Sequence, residues 1–312
     1  MGGTPVTRLL GSFSLAALLL LSSCGGGGGG GGGSSLPSTP FTPPSSTKVV
    51  GTKSTDIAVD PSNNVWVVVT DGVMEIPKGA TSCATTSDCP VITLNFTPAG
   101  IAADSSGNIW VTDTSSGSVT EITTNAIKAQ SCSSYCTIFT SSFSSPVGIV
   151  ADGSGNIWVT NDISSGSVTE IKLPASSCSS CTTYHGFSNP VAVAVASSGG
   201  FPWVANSGSG TYSPGVVAMN LSYCGTSGGC PEITGFTQPV GLAFDSSSNL
   251  WVIDAGTSKA VEITASAISA ESCKNDPCYQ YSLPSVPLGI ATDTLGNVWI
   301  TLKNGEIIKY TP

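Results

Sequence analysis

All six tryptophans of this chain fall inside one recurring phrase. Its clearest copies read Gly-Ile-Ala-Ala-Asp-Ser-Ser-Gly-Asn-Ile-Trp-Val-Thr-Asp from Gly100 and Gly-Ile-Val-Ala-Asp-Gly-Ser-Gly-Asn-Ile-Trp-Val-Thr-Asn from Gly148. Weaker copies begin at Asp56, Ala192, Gly241 and Gly289. Trp66, Trp110, Trp158, Trp203, Trp251 and Trp299 are 44, 48, 45, 48 and 48 residues apart. A period of that size, built from short strand patterns, marks a solenoid or a propeller.

Each copy reads as four strands. In the second, Gly100 to Asp104 is a short apolar run, and Asp104 to Asn108 is a tight turn whose Gly and Asn tolerate positive φ. Ile109 to Thr112, Ser118 to Ile122 and Cys136 to Thr140 supply the other strands. A Phe-x-x-Pro connector then leads onward, as in Phe143 to Pro146, Phe187 to Pro190 and Phe236 to Pro239. Strands apolar on both faces must be covered on both faces. The expected architecture is an all-β, six-bladed β-propeller of four-stranded antiparallel blades, with each tryptophan packing one blade on the next. The sixth copy stops after a third strand, Glu306 to Tyr310, and Thr47 to Gly51 is expected to pair there and close the ring.

The N-terminus reads differently. Arg8 precedes an apolar run from Leu9 to Leu21, too short for the roughly 20 residues that a spanning helix needs. The run ends in Leu-Ser-Ser-Cys24, which resembles the lipobox of bacterial lipoproteins. That resemblance implies a signal peptide over 1–23 and lipid on Cys24. Gly25, where Gram-negative inner-membrane lipoproteins carry Asp, suggests an outer-membrane or surface address. Residues 24–46 hold nine consecutive glycines and a Ser/Pro/Thr-rich stretch, and read as a flexible tether spanning about 25–30 Å. Residues 47–312 form the propeller.

Of 11 cysteines, ten form close pairs: Cys83/Cys89, Cys132/Cys136, Cys178/Cys181, Cys224/Cys230 and Cys273/Cys278. Cys24 is the odd one, as lipidation requires. Disulfides local to the connection between third and fourth strands, formed in an oxidising compartment, are the simplest reading. Cys178-Ser-Ser-Cys181 also has redox or zinc spacing, but zinc needs two further ligands nearby. The net charge is −9, and the only arginine, Arg8, lies in the leader. An acidic, arginine-free surface excludes nucleic acid and anionic lipid as docking partners.

The recurring phrase resembles the NHL repeat, and is similar to blades of streptogramin lyases and of the SMP-30/gluconolactonase group. The resemblance covers residues 47–312 and implies the fold. The lyase resemblance would require a catalytic histidine at the funnel, but the single histidine, His185, falls on an outer strand. The lactonase resemblance would require a Glu/Asn/Asp metal set that no residues here match.

The position three after each tryptophan starts a loop on the face that such propellers use for binding. It holds Val69, Asp113, Asn161, Asn206, Asp254 and Leu302, with Asp71 and Asp162 close by. Asp113, Asn161, Asn206 and Asp254 could together hold a hard cation such as Ca²⁺. Alternatively, each caps its own loop. Asp60, Asp104, Asp152, Asp245 and Asp293 read as turn-holding residues, and Glu75, Glu121, Glu170 and Glu262 recur without converging. No cofactor is required by any motif. Three functions are compatible with this: a monomeric platform binding a protein or glycan through its funnel face, a metal-dependent lactonase or streptogramin-lyase-like enzyme, or a structural, adhesive surface protein.

Overall fold

The computed structural model describes residues 54–311, apart from 81–82, 84–87, 197–198, 209–213, 220–231 and 271–277. Cys24, the 24–46 tether, the closing strand at 47–51, and Cys224, Cys230 and Cys273 lie outside the described residues.

Six antiparallel sheets follow one another along the chain. Blade two is typical, with strands Ile101–Ala103, Ile109–Asp113, Ser118–Ile122 and Cys136–Thr140 in spatial order. Blades one, three, four and five have the same order, and blade six shows three strands among the described residues, Pro287–Thr292, Val298–Leu302 and Ile307–Tyr310. The expected propeller is therefore present.

Six buried clusters hold the ring, one between each pair of neighbouring blades. Trp66 lies in the cluster of blades one and two, Trp110 in that of two and three, and Trp158 in that of three and four. Trp203 and Trp251 continue the series. Trp299 packs against the sixth cluster, where Ile307 of blade six meets Ile57, Val65 and Val67 of blade one. That last cluster closes the circle. Beside it, Thr294 donates from its amide (3.1 Å) and its hydroxyl (2.7 Å) to Asn63, 231 residues earlier.

The turn after each first strand is one device used five times. In blade two, Asp104 Oδ1 accepts the amides of Ser106 (2.8 Å) and Asn108 (2.9 Å), while Oδ2 accepts the Asn108 side-chain amide (2.9 Å). The same Oδ2 accepts the indole N–H of Trp110 at 3.0 Å. Asp60, Asp152, Asp245 and Asp293 hold Trp66, Trp158, Trp251 and Trp299 in the same way, at 2.9–3.1 Å. A buried indole N–H left unpaired would cost about 1–3 kcal/mol, so the turn carboxylate both shapes the turn and lets the tryptophan be buried. Blade four carries Ala196 at this position. The third turn residue after the Asp has positive φ throughout: Gly107, Gly155 and Gly296, but also Asn63 and Ser248.

The connections from third to fourth strand depart from the expected plain loops. Short helices occupy two of them, Thr124–Ala129 and Ala265–Ser269. Thr123 and Thr264 cap them by accepting the amides of Ala126 and Ala267 at 3.3 Å. Those alanines are fully buried in the adjoining inter-blade clusters. Both helices were readable in the shared string Ile-Thr-x-x-Ala-Ile, where a threonine precedes good helix formers. Disulfides Cys83–Cys89, Cys132–Cys136 and Cys178–Cys181 are formed, each bridging only 3–6 residues, and Cys278 is disulfide-bonded as well. Such bridges suggest an oxidising, extracytoplasmic environment. No helix among the described residues is long and apolar enough to cross a membrane.

Candidate functional site

First strands begin, and second strands end, at the rim opposite the Asp turns. The four polar residues expected at the rim are buried there, each with less than 5 % of its surface exposed. Asn161 accepts the Ser144 amide (2.9 Å) and donates to Ser167 and Thr169 (3.0 Å each). Asn206 accepts the Ser188 amide at 3.0 Å. Asp254 accepts the amides of Thr237 (3.0 Å), Gln238 (2.7 Å) and Gly256 (3.1 Å) and the Thr257 hydroxyl (3.0 Å). Ser144, Ser188 and Thr237 each follow the Phe of a Phe-x-x-Pro connector. These three side chains therefore clamp the incoming connector.

Asp113 acts otherwise, because its connector, Phe96-Thr97-Pro98, is one residue shorter. It folds back on its own loop, accepting both the amides and the hydroxyls of Ser115 and Ser116. Burial opposes its charge, but those donors hold its carboxyl below the ordinary value. Of the neighbouring acids, Asp162 accepts the Asn189 side-chain amide at 3.0 Å. Among the described residues, no group of three or more His, Cys, Asp or Glu is placed to hold a metal ion. His185 is exposed on the outer strand of blade three, Thr182–Phe187, where it pairs with Ser167 at the rim end but two strands out from Asn161 and three from the channel-lining first strand.

The other candidate is the central channel, a cavity of about 470 Å³ walled by the first strands of all six blades. Neighbouring strands crowd there. A Cβ on Gly100 would strike the Val147 carbonyl, and one on Gly148 would lie 2.6 Å from the Val191 carbonyl. Blade four tolerates Ala192 at this ring position, and blade one carries Asp56. Asp56 thus brings a carboxylate to a mostly apolar stretch of wall, whereas the other acids of the channel, Asp60, Asp104 and Asp152, lie at its turn end. Asp56 Oδ2 accepts the Ile101 amide at 3.0 Å, and Oδ1 faces Gly289 of blade six. The side chain keeps partial access to the lumen, yet protein surrounds it on every side. Desolvation therefore prevails over two amide hydrogen bonds and pushes its carboxyl up to about 7. Comparison of the six copies could have found it: an acid stands where the phrase has glycine.

A second cavity, of about 550 Å³, lies between blades five and six, walled by Trp251, Tyr279, Tyr281, Tyr310 and Glu262. Burial raises the Glu262 carboxyl, although the Tyr281 hydroxyl donates to it at 2.7 Å. The Trp251 and Tyr281 rings stack at 5.2 Å.

Residues 97–121, from the blade-two connector to its third strand, match the NHL repeat. Solved propellers with the same fold include virginiamycin B lyase from Staphylococcus aureus, 17 % identical over 84 % of this chain and 85 % of that one, with a TM-score of 0.54. A gluconolactonase from Xanthomonas campestris is 12 % identical over 86 % and 89 %, with a TM-score of 0.62. A chain of a nidogen/laminin complex is 14 % identical over 77 % and 84 %, with a TM-score of 0.58. At these identities the likeness is one of fold, which lyases, lactonases and binding proteins share. No curated protein sequence matches the chain.

Proposed function

We propose that this NHL-type propeller is a binding platform of the cell envelope, carried by lipid on Cys24 and the 24–46 tether, which engages a protein or glycan through its funnel rim. One observation carries the reading. The buried polar side chains of the rim fix connectors and loops in place, and they do so differently from blade to blade. Rigid elements that display varied loops are the usual architecture of a recognition face. The nidogen/laminin neighbour shows that propellers of this fold enter protein complexes.

The test is site-specific photocrosslinking in cells. A crosslinker at Ser115 or Thr257, both exposed on rim loops, should give adducts absent at Ser106, which is exposed on the turn end. Adducts at all three positions, or at none, would remove the rim as the recognition face.

The enzyme reading, a divalent-cation lactonase or lyase, finds support in the lyase and gluconolactonase neighbours. It requires Asp113, Asn161, Asn206 or Asp254 to exchange loop donors for a cation. A melt with Ca²⁺, Mg²⁺, Mn²⁺ or Zn²⁺ against EDTA decides this. Cation stabilisation abolished by Asp254→Ala would favour the enzyme, and no shift with any cation would favour the platform. The adhesive reading rests on the Ser/Thr/Gly-rich exterior and predicts retention of whole cells on immobilised protein.

A further inference from the structure

The central channel combines three features. It is a cavity of about 470 Å³, large enough for a small organic molecule. Its rim-side half is mostly apolar, lined by Ala99, Val147, Val191, Val240 and Leu288 with Thr55 as the one polar member, one residue rimward of the ring that holds Asp56. And it presents one carboxylate, Asp56, at the position where three of the other blades place a glycine that cannot be enlarged without striking the neighbouring first strand.

The bland explanation is that Asp56 only ties blade one to blade two through the Ile101 amide. Blade two makes its tie to blade three without a charge, through Thr112, and Thr160 serves the same first-strand amide within blade three. Thr112 accepts the Gly100 amide and donates to the Val147 carbonyl at 2.8 Å each, and Thr160 accepts the Gly148 amide at 2.8 Å. Blade one has Val68 in place of that threonine, so a neutral solution available to the repeat was not used. No Lys, Arg or His lines the channel among its described residues. The titratable groups on the packed strands are Asp60, Asp104 and Asp293 at the far ends of the first strands of blades one, two and six, with Asp152 beyond. All four carboxylates already hold a turn and an indole N–H. A carboxylate among apolar walls without a cation is costly, and a cation that brings its own apolar surface relieves that cost.

We propose that the channel is a binding site for a small primary ammonium compound with an apolar tail, its ammonium group on Asp56 and its tail against Val147, Val191, Val240 and Leu288. This site is independent of the rim and stands or falls apart from it.

The experiment is calorimetric titration of the full chain with n-hexylammonium chloride and, as the neutral counterpart, hexan-1-ol. Asp56→Asn keeps the acceptor for the Ile101 amide and removes the charge. Hexylammonium should bind the wild type at pH 8.5 and bind Asp56→Asn at least about tenfold more weakly, with hexanol unchanged. The wild type supplies the same comparison without a substitution. At pH 5.5 the Asp56 carboxyl is protonated, because burial holds it near 7, and hexylammonium should weaken there while hexanol does not. Absence of hexylammonium binding at pH 8.5 would overturn the proposal. So would equal binding by wild type and Asp56→Asn, or binding that does not change between pH 8.5 and pH 5.5.

Discussion

The two ends of the first strands are built on opposite plans. At the turn end, five blades repeat one arrangement of Asp, Asn and Trp with nearly identical distances. At the rim, the six residues at the matching position are Val, Asp, Asn, Asn, Asp and Leu, and of the four polar ones three clamp the incoming connector while Asp113 holds its own loop. Uniformity at one end means that the blades are held upright by a common solution. Variety at the other means that each blade adapts to its own connector. A repeat protein can therefore alter its recognition face without disturbing its scaffold.

The sharpest departure from either plan is Asp56, and it predicts the largest effect. Its carboxyl is raised in the folded chain to about 7 from an ordinary 3.8. The folded state thus keeps a proton that the unfolded state releases. The Asp56 contribution to stability should be greatest below about pH 4, fall as pH rises through the window from 4 to 7, and level off above it. The loss at neutral pH is up to about 4 kcal/mol relative to acid. Asp56→Asn should remove that slope, so denaturant melts at pH 5 and pH 8 should separate in the wild type and converge in the variant. Parallel slopes in both proteins would mean that Asp56 is not the titrating group.

At the turn end, Trp110→Ala should cost about 4 kcal/mol, because Trp110 is fully buried between blades two and three. Asp104→Ala strands two backbone amides and that indole, and should cost about 2–3 kcal/mol. The comparison is tested by uniformity: Asp152→Ala and Asp245→Ala should fall within about 1 kcal/mol of Asp104→Ala. A wide spread would show that the five turns are alike in appearance only. At the rim, Asp254→Ala should cost about 1–2 kcal/mol and loosen the Phe236–Pro239 connector, measured as faster amide exchange at Thr237 and Gln238. The smallest effect is a gain. Ser248 takes positive φ where other turns have glycine, so Ser248→Gly should raise stability by about 1 kcal/mol.

The fold was legible because the signals are local and repeated: the tryptophan and the two-faced apolar strands six times, and the Asp-led turn ending in Asn five times. The indole bond to the turn carboxylate was not expected, since it joins residues six apart across a hairpin and periodicity carries no such geometry. The two short helices were missed although the capping threonines were visible, because a strand period drew attention away from a helical one. At the rim, sequence favoured loop capping over cation binding for Asp113, Asn161, Asn206 and Asp254. The hydrogen bonds of Asn161, Asn206 and Asp254 reach connector residues about 17 positions away, a partnership no local pattern encodes, whereas Asp113 does cap its own loop. Asp56 was in plain sight as a deviant first letter of a weak copy, but only the ring geometry shows that the letter faces a lumen.

The crowding of glycines around the channel has a consequence for how such a protein can change. Where Gly100, Gly148 and Gly289 stand, the adjoining first strand occupies the space that a side chain would need, and at Gly241 the Ile253 side chain of the same blade lies 2.8 Å from where a Cβ would be. Chemistry can therefore be written into this ring of the bore at only two addresses, residue 56 and residue 192, in blades one and four. With six blades, those lie on opposite sides of the axis. Diversification of the channel is thus a two-letter problem, and Ala192 is the letter still blank.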